Sequence, residues 1–311
     1  LVASQLEGFQ SKGLQLVENG HHVFEIGSVT KVFNCAVLAS LVERGLLQLD
    51  TSIEDILGFQ LFKKQTINLR QLATHTSGLS RLPPKIFWDA LFNPSNPNPY
   101  KDYTQSELLH FLQNEVKLKF QGKVRYSNFG AGILATVMQQ ATQMDYQTLL
   151  QTYLFEPYGM NLSHSNWRDC KGTLVPGLNK KGQECLNWDF DALAGAGSAI
   201  SSVSDLVKFV LANFDGTNKH LALQRQCQIE GGAMSTMALG WIIVDSKRRG
   251  LDRFYFHNGG TDGYSSAMLI DMKEKNAVIV LSNISGMHKM KGHKITNLAF
   301  DMMRGIVQKR D

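Results

Sequence analysis

The sequence predicts an α/β protein of the α+β type, with an antiparallel sheet flanked by helices and a second, mostly helical part. The chain has 311 residues, which is enough for two interlocked subdomains around a buried core. An apolar run at helical spacing follows Ser28, so a helix is expected there. The last third holds four short β-rich runs separated by turns, which is typical of an antiparallel sheet.

The first half of the chain reads as short helices joined by loops. Two apolar runs around Asn19-Gly20, within residues 14–26, predict a hairpin. The helix after Ser28 should end near Gly45. Three more short helices are predicted, at residues 52–57, 66–74 and 105–114, the last with a capping box formed by Thr104 and Glu107. Five prolines between residues 80 and 104 predict an irregular excursion.

The second half continues with helices and then changes to strands. Helices are predicted at about 131–141 and 145–155, a loop-rich stretch over 161–198, and an amphipathic helix from Ser202 or Ser204 to about Asn213. The β-rich runs are Trp241–Asp245, Arg253–His257, Ser265–Asp271 and Ala277–Asn283, with a hairpin from Asp271 to Asn276. A helix at about 292–307 closes the chain. The N-terminal piece is expected to pair with this sheet in one layer.

Composition excludes several classes of protein. Hydrophobic residues make up 43% and charged residues 19%, as in an ordinary globular protein. No apolar run reaches the roughly 18 residues of a membrane helix, so no integral membrane segment is predicted. The net charge of +5 is spread along the chain rather than clustered with aromatic residues, which argues against nucleic-acid binding. A mildly basic surface would instead help to attract acidic substrates.

The cysteine and histidine spacings predict neither a metal site nor a cofactor. The four cysteines form no C-x-x-C pair, and no H-E-x-x-H motif is present. Cys35 lies in the predicted helix and is expected to pack as a small apolar residue. Cys170 and Cys185 flank a glycine-rich loop, where they could form a disulfide in an oxidising compartment or stay free.

The strongest chemical signal is S-x-x-K at Ser28 and Lys31. Residues three apart share one face of a helix, so the serine hydroxyl and the lysine amine can meet. The helix start adds free N–H groups and a positive field, and burial can lower the pKa of a lysine enough to make it a base. The alternative is that Ser28 only caps the helix and Lys31 is solvated.

Two further motifs suggest where such a serine would find its partners. Tyr126 and Asn128 lie on a polar turn before a helix, and the phenol is a candidate general base or proton relay. His257 ends a predicted strand, and Gly259 and Gly260 follow it. Glycines there would let a substrate approach the backbone closely.

Together, these motifs resemble the serine β-lactamase and penicillin-binding-protein superfamily, in the branch with class C β-lactamases, D-alanyl-D-alanine carboxypeptidases and related esterases. The resemblance runs from about residue 14 to the C-terminus. Supporting segments are Phe24–Lys31, Leu72–Leu79, Tyr126–Gly130, Pro157–Met160 and Gly195–Ser201. It implies a β-lactamase/transpeptidase-like fold. We expect an α/β subdomain of residues 1–55 and 196–311, a mostly helical subdomain of residues 56–195, and an active site between them.

The resemblance also implies roles. Ser28 would be the acylated nucleophile, Lys31 would take or relay its proton, and Tyr126 would be the partner base that protonates the leaving group. Asn128 would bind a substrate amide or orient Lys31. His257 would stand beside Tyr126 and the substrate carboxylate, where β-lactamases have a lysine. Backbone N–H groups of Ser28 and Gly260 would form the oxyanion hole, and Gly259 would line it.

Three functions stay open. The first is acyl transfer from a β-lactam or D-alanyl peptide, a small-molecule or peptidoglycan-like substrate. The second is hydrolysis of short-chain carboxylic esters, which the histidine at 257 also suits. The third is a catalytically weak penicillin-recognising or scaffold protein. The resemblance implies a periplasmic or secreted protein, with a cytoplasmic location left open because Leu1–Ser4 carries no secretory signal. The sequence does not indicate an oligomeric state.

Overall fold

The computed structural model describes residues 19–93, 96, 98–230, 236–246, 251–287 and 292–308. It confirms the predicted fold class, with helices on both sides of an antiparallel sheet. The described helices are α1 Thr30–Glu43, α2 Ile53–Leu57, α3 Leu69–Ala73, α4 Pro84–Phe92, α5 Gln105–Asn114, α6 Asn128–Thr142, α7 Tyr146–Leu150, α8 Ala194–Gly197, α9 Val203–Phe214, α10 Lys219–Gln226 and α11 Gly292–Gln308.

Two antiparallel sheets are described. The smaller one pairs β1 Val23–Glu25 with β2 Ile200–Ser202. The larger one has six strands in sequence order, β3 Ile229–Glu230, β4 Thr236–Met237, β5 Ile242–Ser246, β6 Leu251–Gly260, β7 Ser265–Asp271 and β8 Asn276–Ser282. Each strand pairs with its chain neighbour, and Asp271 faces Asn276 across the predicted hairpin.

The core lies on both faces of the larger sheet. Successive side chains of a strand point to opposite faces, and every residue of β7 is buried. Met268 and Ile270 pack into the main helical core, whereas Ala267 and Leu269 pack with α11 through Ala299 and Met303. Because both faces are covered, the four middle residues of β7, Ala267–Ile270, are all apolar.

Helix α1 is the centre of the main core. Twelve of its 14 residues are buried, which fits a helix that is apolar on all sides. It packs against α6, α8 and α10, and its first turn follows directly from the turn that carries Ser28. The central position of this helix fixes Ser28 and Lys31 relative to elements from distant parts of the chain.

Several predicted elements differ from the structure. Residues 14–18 of the predicted N-terminal hairpin lie outside the described residues, and β1 pairs with β2. No described strand of the N-terminal piece joins the six-stranded sheet, so the single layer expected there is not seen in this part of the chain. The proline-rich stretch contains α4, which starts at a proline, a favourable residue in a first helical turn. Helix α10 was not predicted.

Other elements agree closely. Thr104 and Glu107 form the predicted capping box of α5, and Ser202 caps α9. Helix α7 ends earlier than predicted, and a π-helical turn continues it over Gln151–Phe155. No helix among the described residues is long and apolar enough to cross a membrane. The division into two subdomains stays a prediction.

Strand β6 ends against the residues just before Ser28, and this contact needs Gly259. A methyl group at Gly259 would overlap the Ile26 carbonyl oxygen and lie 2.6 Å from Ser266 Oγ. We therefore expect Gly259→Ala to lower the free energy of unfolding by about 1–3 kcal/mol or more in urea titrations. Gly305→Ala is the control, because an added methyl meets no atom within 4 Å inside α11. It should instead stabilise the protein by about 0.5–1 kcal/mol. Equal effects of the two variants would contradict this account.

Candidate active site

Ser28 lies in a tight turn between β1 and α1. A short 3-10 helix covers Gly27–Val29, and Gly27 has φ +50°, a backbone conformation that favours glycine. A Cβ at Gly27 would lie 2.6 Å from the Gly260 nitrogen. The turn therefore sits directly on the end of β6, which brings Ser28 and Gly260 to the same place.

The structure brings Ser28 and Lys31 together. Lys31 Nζ lies 3.0 Å from Ser28 Oγ and donates a hydrogen bond to the Ala196 carbonyl oxygen at 2.6 Å. The Lys31 side chain is only 1% exposed, and Ser28 makes no side-chain cap to the helix. The alternative of a capping serine beside a solvated lysine is therefore wrong.

Burial is the main influence on Lys31. It holds the pKa of this amine well below its usual value, and the nearby positive charge of Arg81 lowers it further. A neutral amine has two hydrogens and one lone pair. One hydrogen goes to the Ala196 carbonyl, so the lone pair is free to accept the Ser28 proton. This is the arrangement a general base needs.

Tyr126 lies beside both groups. Its phenol hydrogen-bonds with the Ser28 side chain, and Lys31 Nζ lies 4.9 Å from its ring centroid. Burial raises the pKa of Tyr126 despite the Ser28 hydrogen bond and the Arg81 charge. A phenolate at neutral pH would need positively charged neighbours. Since Lys31 is itself buried with a lowered pKa, the resting Tyr126 is a neutral phenol.

His257 lies near Tyr126, with 6.1 Å between ring centroids, but its side chain is fully buried. Its Nδ1 lies 2.7 Å from the Asn258 carbonyl oxygen, so this nitrogen carries the hydrogen. Burial lowers the pKa of His257 to about 3. The imidazole is neutral and does not line the cleft. The expected position beside a substrate carboxylate is therefore not seen.

Asn128, Gly259 and Gly260 all line the cleft and also contact other parts of the protein. Asn128 is the first residue of α6, and its Nδ2 donates to the Tyr100 hydroxyl at 2.9 Å rather than contacting Lys31. Its Oδ1 is buried without a partner among the described residues. Gly259 and Gly260 line the cleft, but the space beside them is filled by Ile26 and Gly286. They make room for protein backbone. The roles of these residues toward a substrate stay predictions.

The described groups surround a cleft of about 420 Å³. Its lining comes from the nucleophile turn, the end of β6, the first residues of β5 and α6, the end of α8 and several loops. It comprises Gly27, Ser28, Arg81, Leu82, Tyr100, Tyr126, Asn128, Trp188, Phe190, Ala196, Gly197, Ile242, Asn258, Gly259, Gly260, Thr261, Gly286 and Met287. Tyr100 stacks with Phe190 at 5.1 Å and contacts Trp188 at 5.2 Å between centroids. One wall of the cleft is therefore aromatic.

Glu25 holds this aromatic wall against the nucleophile strand. Its Oε1 accepts hydrogen bonds from Asn187 Nδ2 and from the Trp188 backbone N–H, both at 2.8 Å. Burial raises the pKa of this carboxyl. Sequence reasoning missed Glu25 and Arg81, and of the aromatic wall it missed Tyr100 and Phe190. The only feature of the sequence that could have pointed to Glu25 is its position three residues before Ser28.

The cysteine question left open by the sequence is answered. Cys170 and Cys185 are both free thiols, and the Cys185 thiol donates to the Gly177 carbonyl at 3.5 Å. Burial raises the pKa of Cys185 to about 11, which makes it a poor nucleophile and metal ligand. Within the described ranges, no group of three or more histidine, cysteine or acidic side chains is placed to hold a metal ion.

The burial of Lys31 predicts a pH-dependent stability. Between its lowered folded-state pKa and the unfolded value near 10.4, the unfolded chain binds one more proton at this position. This raises the free energy of unfolding of the native protein by up to about 1.4 kcal/mol per pH unit. Lys31→Met removes this titration. The unfolding free energy of the variant minus that of the native protein should therefore fall with rising pH in this window.

Urea titrations from pH 6 to 9.5 measure this difference, with Lys180→Met at an exposed turn as the matched control. A difference for Lys31→Met that stays constant or grows with pH would show that the buried amine is charged.

Comparisons with known proteins identify the family of the chain. The family model described as Beta-lactamase matches residues 8–300. Penicillin-binding protein 4* of Bacillus subtilis is 26% identical over 285 residues, covering 84% of this chain and 60% of that protein. Beta-lactamase-like protein 4 of Dictyostelium discoideum is 26% identical, covering 90% of this chain and 48% of that protein. The chain thus spans about half to three-fifths of the length of these relatives.

Solved structures share the fold. A beta-lactamase/D-alanine carboxypeptidase from Yersinia pestis, complexed with citrate, has a TM-score of 0.74 at 21% identity and covers 94% of this chain and 85% of its own. A class C beta lactamase from Rhodobacter sphaeroides has a TM-score of 0.72 at 20% identity, covering 88% and 83%. With a family match over most of its length and this fold, the chain belongs to the beta-lactamase family.

Proposed function

We propose that this protein is a serine acyl-transfer hydrolase that acts on an amide bond of a β-lactam or a D-alanyl peptide. The observation that carries the proposal is the 3.0 Å approach of Ser28 Oγ to the buried Lys31 amine. A serine next to a base of lowered pKa is the usual arrangement for nucleophilic catalysis. The names of the similar proteins, which include penicillin-binding protein and D-alanine carboxypeptidase, support this choice of substrates.

The proposed reaction has two steps. Ser28 Oγ attacks the carbonyl carbon while Lys31 takes the hydroxyl proton. As the carbon–nitrogen bond breaks, that proton passes through the Tyr126 phenol to the leaving nitrogen. Water then attacks the acyl-enzyme ester, and its proton returns through the same groups as the bond to Ser28 Oγ breaks. Backbone N–H groups of Ser28 and Gly260 would stabilise the oxyanion, with each donor contributing about 3–4 kcal/mol in comparable enzymes.

Hydrolysis of short-chain esters is the second candidate. The buried, neutral His257 favours it, because the third motif then supplies no positive charge for a substrate carboxylate. An ester needs the same nucleophile and base but no anion-binding group. The periplasmic or secreted location stays a prediction.

The test is covalent labelling of Ser28. We expect a fluorophosphonate probe to form one covalent adduct per protein molecule, and benzylpenicillin or a nitrophenyl ester to do the same. Intact mass should show the adduct, and peptide mapping should locate it on the peptide that carries Ser28. Ser28→Ala should lose the adduct, whereas Ser106→Ala, at an exposed serine of α5, should keep it. No adduct with any of the three compounds would overturn the proposal and favour a non-catalytic scaffold.

Tyr126→Phe tests the proton relay. The variant keeps the ring between Lys31 and His257 but loses the hydroxyl that hydrogen-bonds with Ser28. We expect acylation by an amide substrate to slow by about 10²- to 10⁴-fold, the usual contribution of a general acid or base. A nitrophenyl ester, whose leaving group needs no proton, should lose much less in stopped-flow measurements. Equal losses for the two substrates would contradict a role in leaving-group protonation.

A further inference from the structure

Arg81 is the single charged side chain among the described residues that line the cleft. We infer that its guanidinium binds a carboxylate on the leaving-group side of the substrate, taking the place that the sequence resemblance gave to His257. This inference rests on the proposed acyl transfer at Ser28 and narrows its substrates to anionic acyl donors. A guanidinium suits this role because it stays charged and can bind a carboxylate through two parallel hydrogen bonds.

Arg81 is anchored at its backbone and open at its side chain. Its carbonyl oxygen accepts hydrogen bonds from the backbone N–H groups of Asn128 and Phe129, at 2.9 and 3.2 Å, at the start of α6. The side chain is exposed, and no described carboxylate lies within ion-pair distance of it. Arg81 therefore offers an unpaired positive charge from a fixed point in the fold.

The Arg81 guanidinium lies next to Tyr126, which in turn contacts Ser28. Its carbon lies 5.3 Å from the centroid of the Tyr126 ring, and the Tyr126 phenol hydrogen-bonds with Ser28. Tyr126 is the residue proposed to protonate the leaving group. A substrate whose leaving group reaches the Tyr126 hydroxyl would therefore bring that group, rather than its acyl side, next to Arg81.

The positive charge continues beyond Arg81. A neighbouring cavity of about 690 Å³ shares Arg81 and Tyr126 with the cleft, and its other cationic lining residues are Lys117, Lys119 and Arg125. The one carboxylate in that lining is Glu115, which lies 3.9 Å from His110 Nε2. A field of one sign along a cleft attracts a ligand of the opposite sign. The anion is therefore expected on the Tyr126 side of the cleft.

The other candidates for this contact are neutral. His257 is buried with a pKa lowered to about 3, and burial holds the pKa of Lys31 well below its usual value. His75, which contacts the Tyr126 ring at 4.6 Å between centroids, also has its pKa lowered to about 3. Among these groups, Arg81 alone offers a full positive charge to a substrate.

The test compares two substrates of similar size whose leaving groups differ in charge. 3-(Phenylacetyloxy)benzoic acid and its methyl ester carry the same acyl group on similar phenols, and only the first has a carboxylate on the leaving group. We expect native protein to have the higher kcat/KM for the acid. In Arg81→Gln, the ratio of kcat/KM for the acid to that for the methyl ester should fall by about 10- to 100-fold, the range of a charged hydrogen bond.

The ratio separates binding from a second effect of Arg81. Loss of this cation also raises the pKa of Lys31. That change should alter kcat/KM for both substrates by the same factor and shift the acid limb of the plot of kcat/KM against pH. Arg81→Lys should keep part of the ratio, because it retains charge without the planar fork. Lys180→Gln, at an exposed turn that lines neither cavity, should leave the ratio unchanged.

Two further pairs identify the source of the carboxylate. One is a peptide ending in D-alanyl-D-alanine with a free or amidated C-terminus, and the other is benzylpenicillin with its methyl ester. For each pair, the ratio of kcat/KM for the charged compound to that for the neutral compound is compared between native protein and Arg81→Gln. The pair whose ratio falls more in the variant identifies the substrate class, peptide or β-lactam, whose carboxylate contacts Arg81. If Ser28 is acylated by every compound but the ratio is the same in native protein and Arg81→Gln, the inference is wrong while the acyl transfer stands. If no compound acylates Ser28, the proposed function itself fails.

Discussion

The buried amine of Lys31 is the constraint on which the rest of the site depends. A lysine with 1% exposure and no carboxylate partner among the described residues is costly to keep charged. The fold therefore holds it as an amine against two oxygens, Ser28 Oγ and the Ala196 carbonyl. Ala196 can reach it because α8 packs tightly on α6, where a Cβ at Gly195 would lie 2.5 Å from the Ala131 carbonyl oxygen. The amine is thus positioned by three helices from distant parts of the chain.

Tight packing of backbone against backbone also explains the glycines around the nucleophile. Gly27, Gly259 and Gly195 each stand where a methyl group would collide with backbone. These contacts draw the nucleophile turn, the end of β6 and α8 into one cluster. For Gly259, the sequence suggested the close approach of a substrate as the reason, and it suggested no reason for Gly27 or Gly195. The structure shows that the packing of the protein itself already requires two of them next to Ser28.

Local signals in the sequence predicted much of the fold. The capping box at Thr104, the apolar run of α1 and the strand β7 depend on residues close together in the chain, so their bounds agree with the structure. Helix α4 was missed because prolines around it read as a break, although a proline suits a first helical turn. The pairing of β1 with β2 joins residues almost 180 positions apart, and no local pattern indicates such a partner.

The candidate site divides in the same way. The motif residues Ser28, Lys31 and Tyr126 could be named from the sequence, and the structure brings them into contact. The burial, hydrogen-bond partners and charge of each group could not be predicted from the sequence. His257 looked like a residue of the cleft because it ends a strand, yet its imidazole turns into the core and bonds to the next carbonyl. Arg81 belongs to no motif, and its importance depends on which other charges burial has removed.

These environments give the site a neutral centre and a charged edge. Lys31, Tyr126 and His257 are held in their uncharged forms by burial. A proton can therefore move between Lys31 and Tyr126 without separating strong charges in a poorly solvated space. Arg81 is exposed, so its charge costs little to keep. A substrate carboxylate binds more tightly because it can pair with an exposed cation. A neutral substrate loses little binding free energy, because the cation then stays hydrated. Selection by Arg81 should therefore be moderate and weaken at high ionic strength, whereas selection by a buried ammonium in the position of His257 would penalise neutral substrates severely. On this reasoning, we expect a protein with a neutral His257 and an exposed Arg81 to prefer anionic acyl donors while still accepting neutral esters.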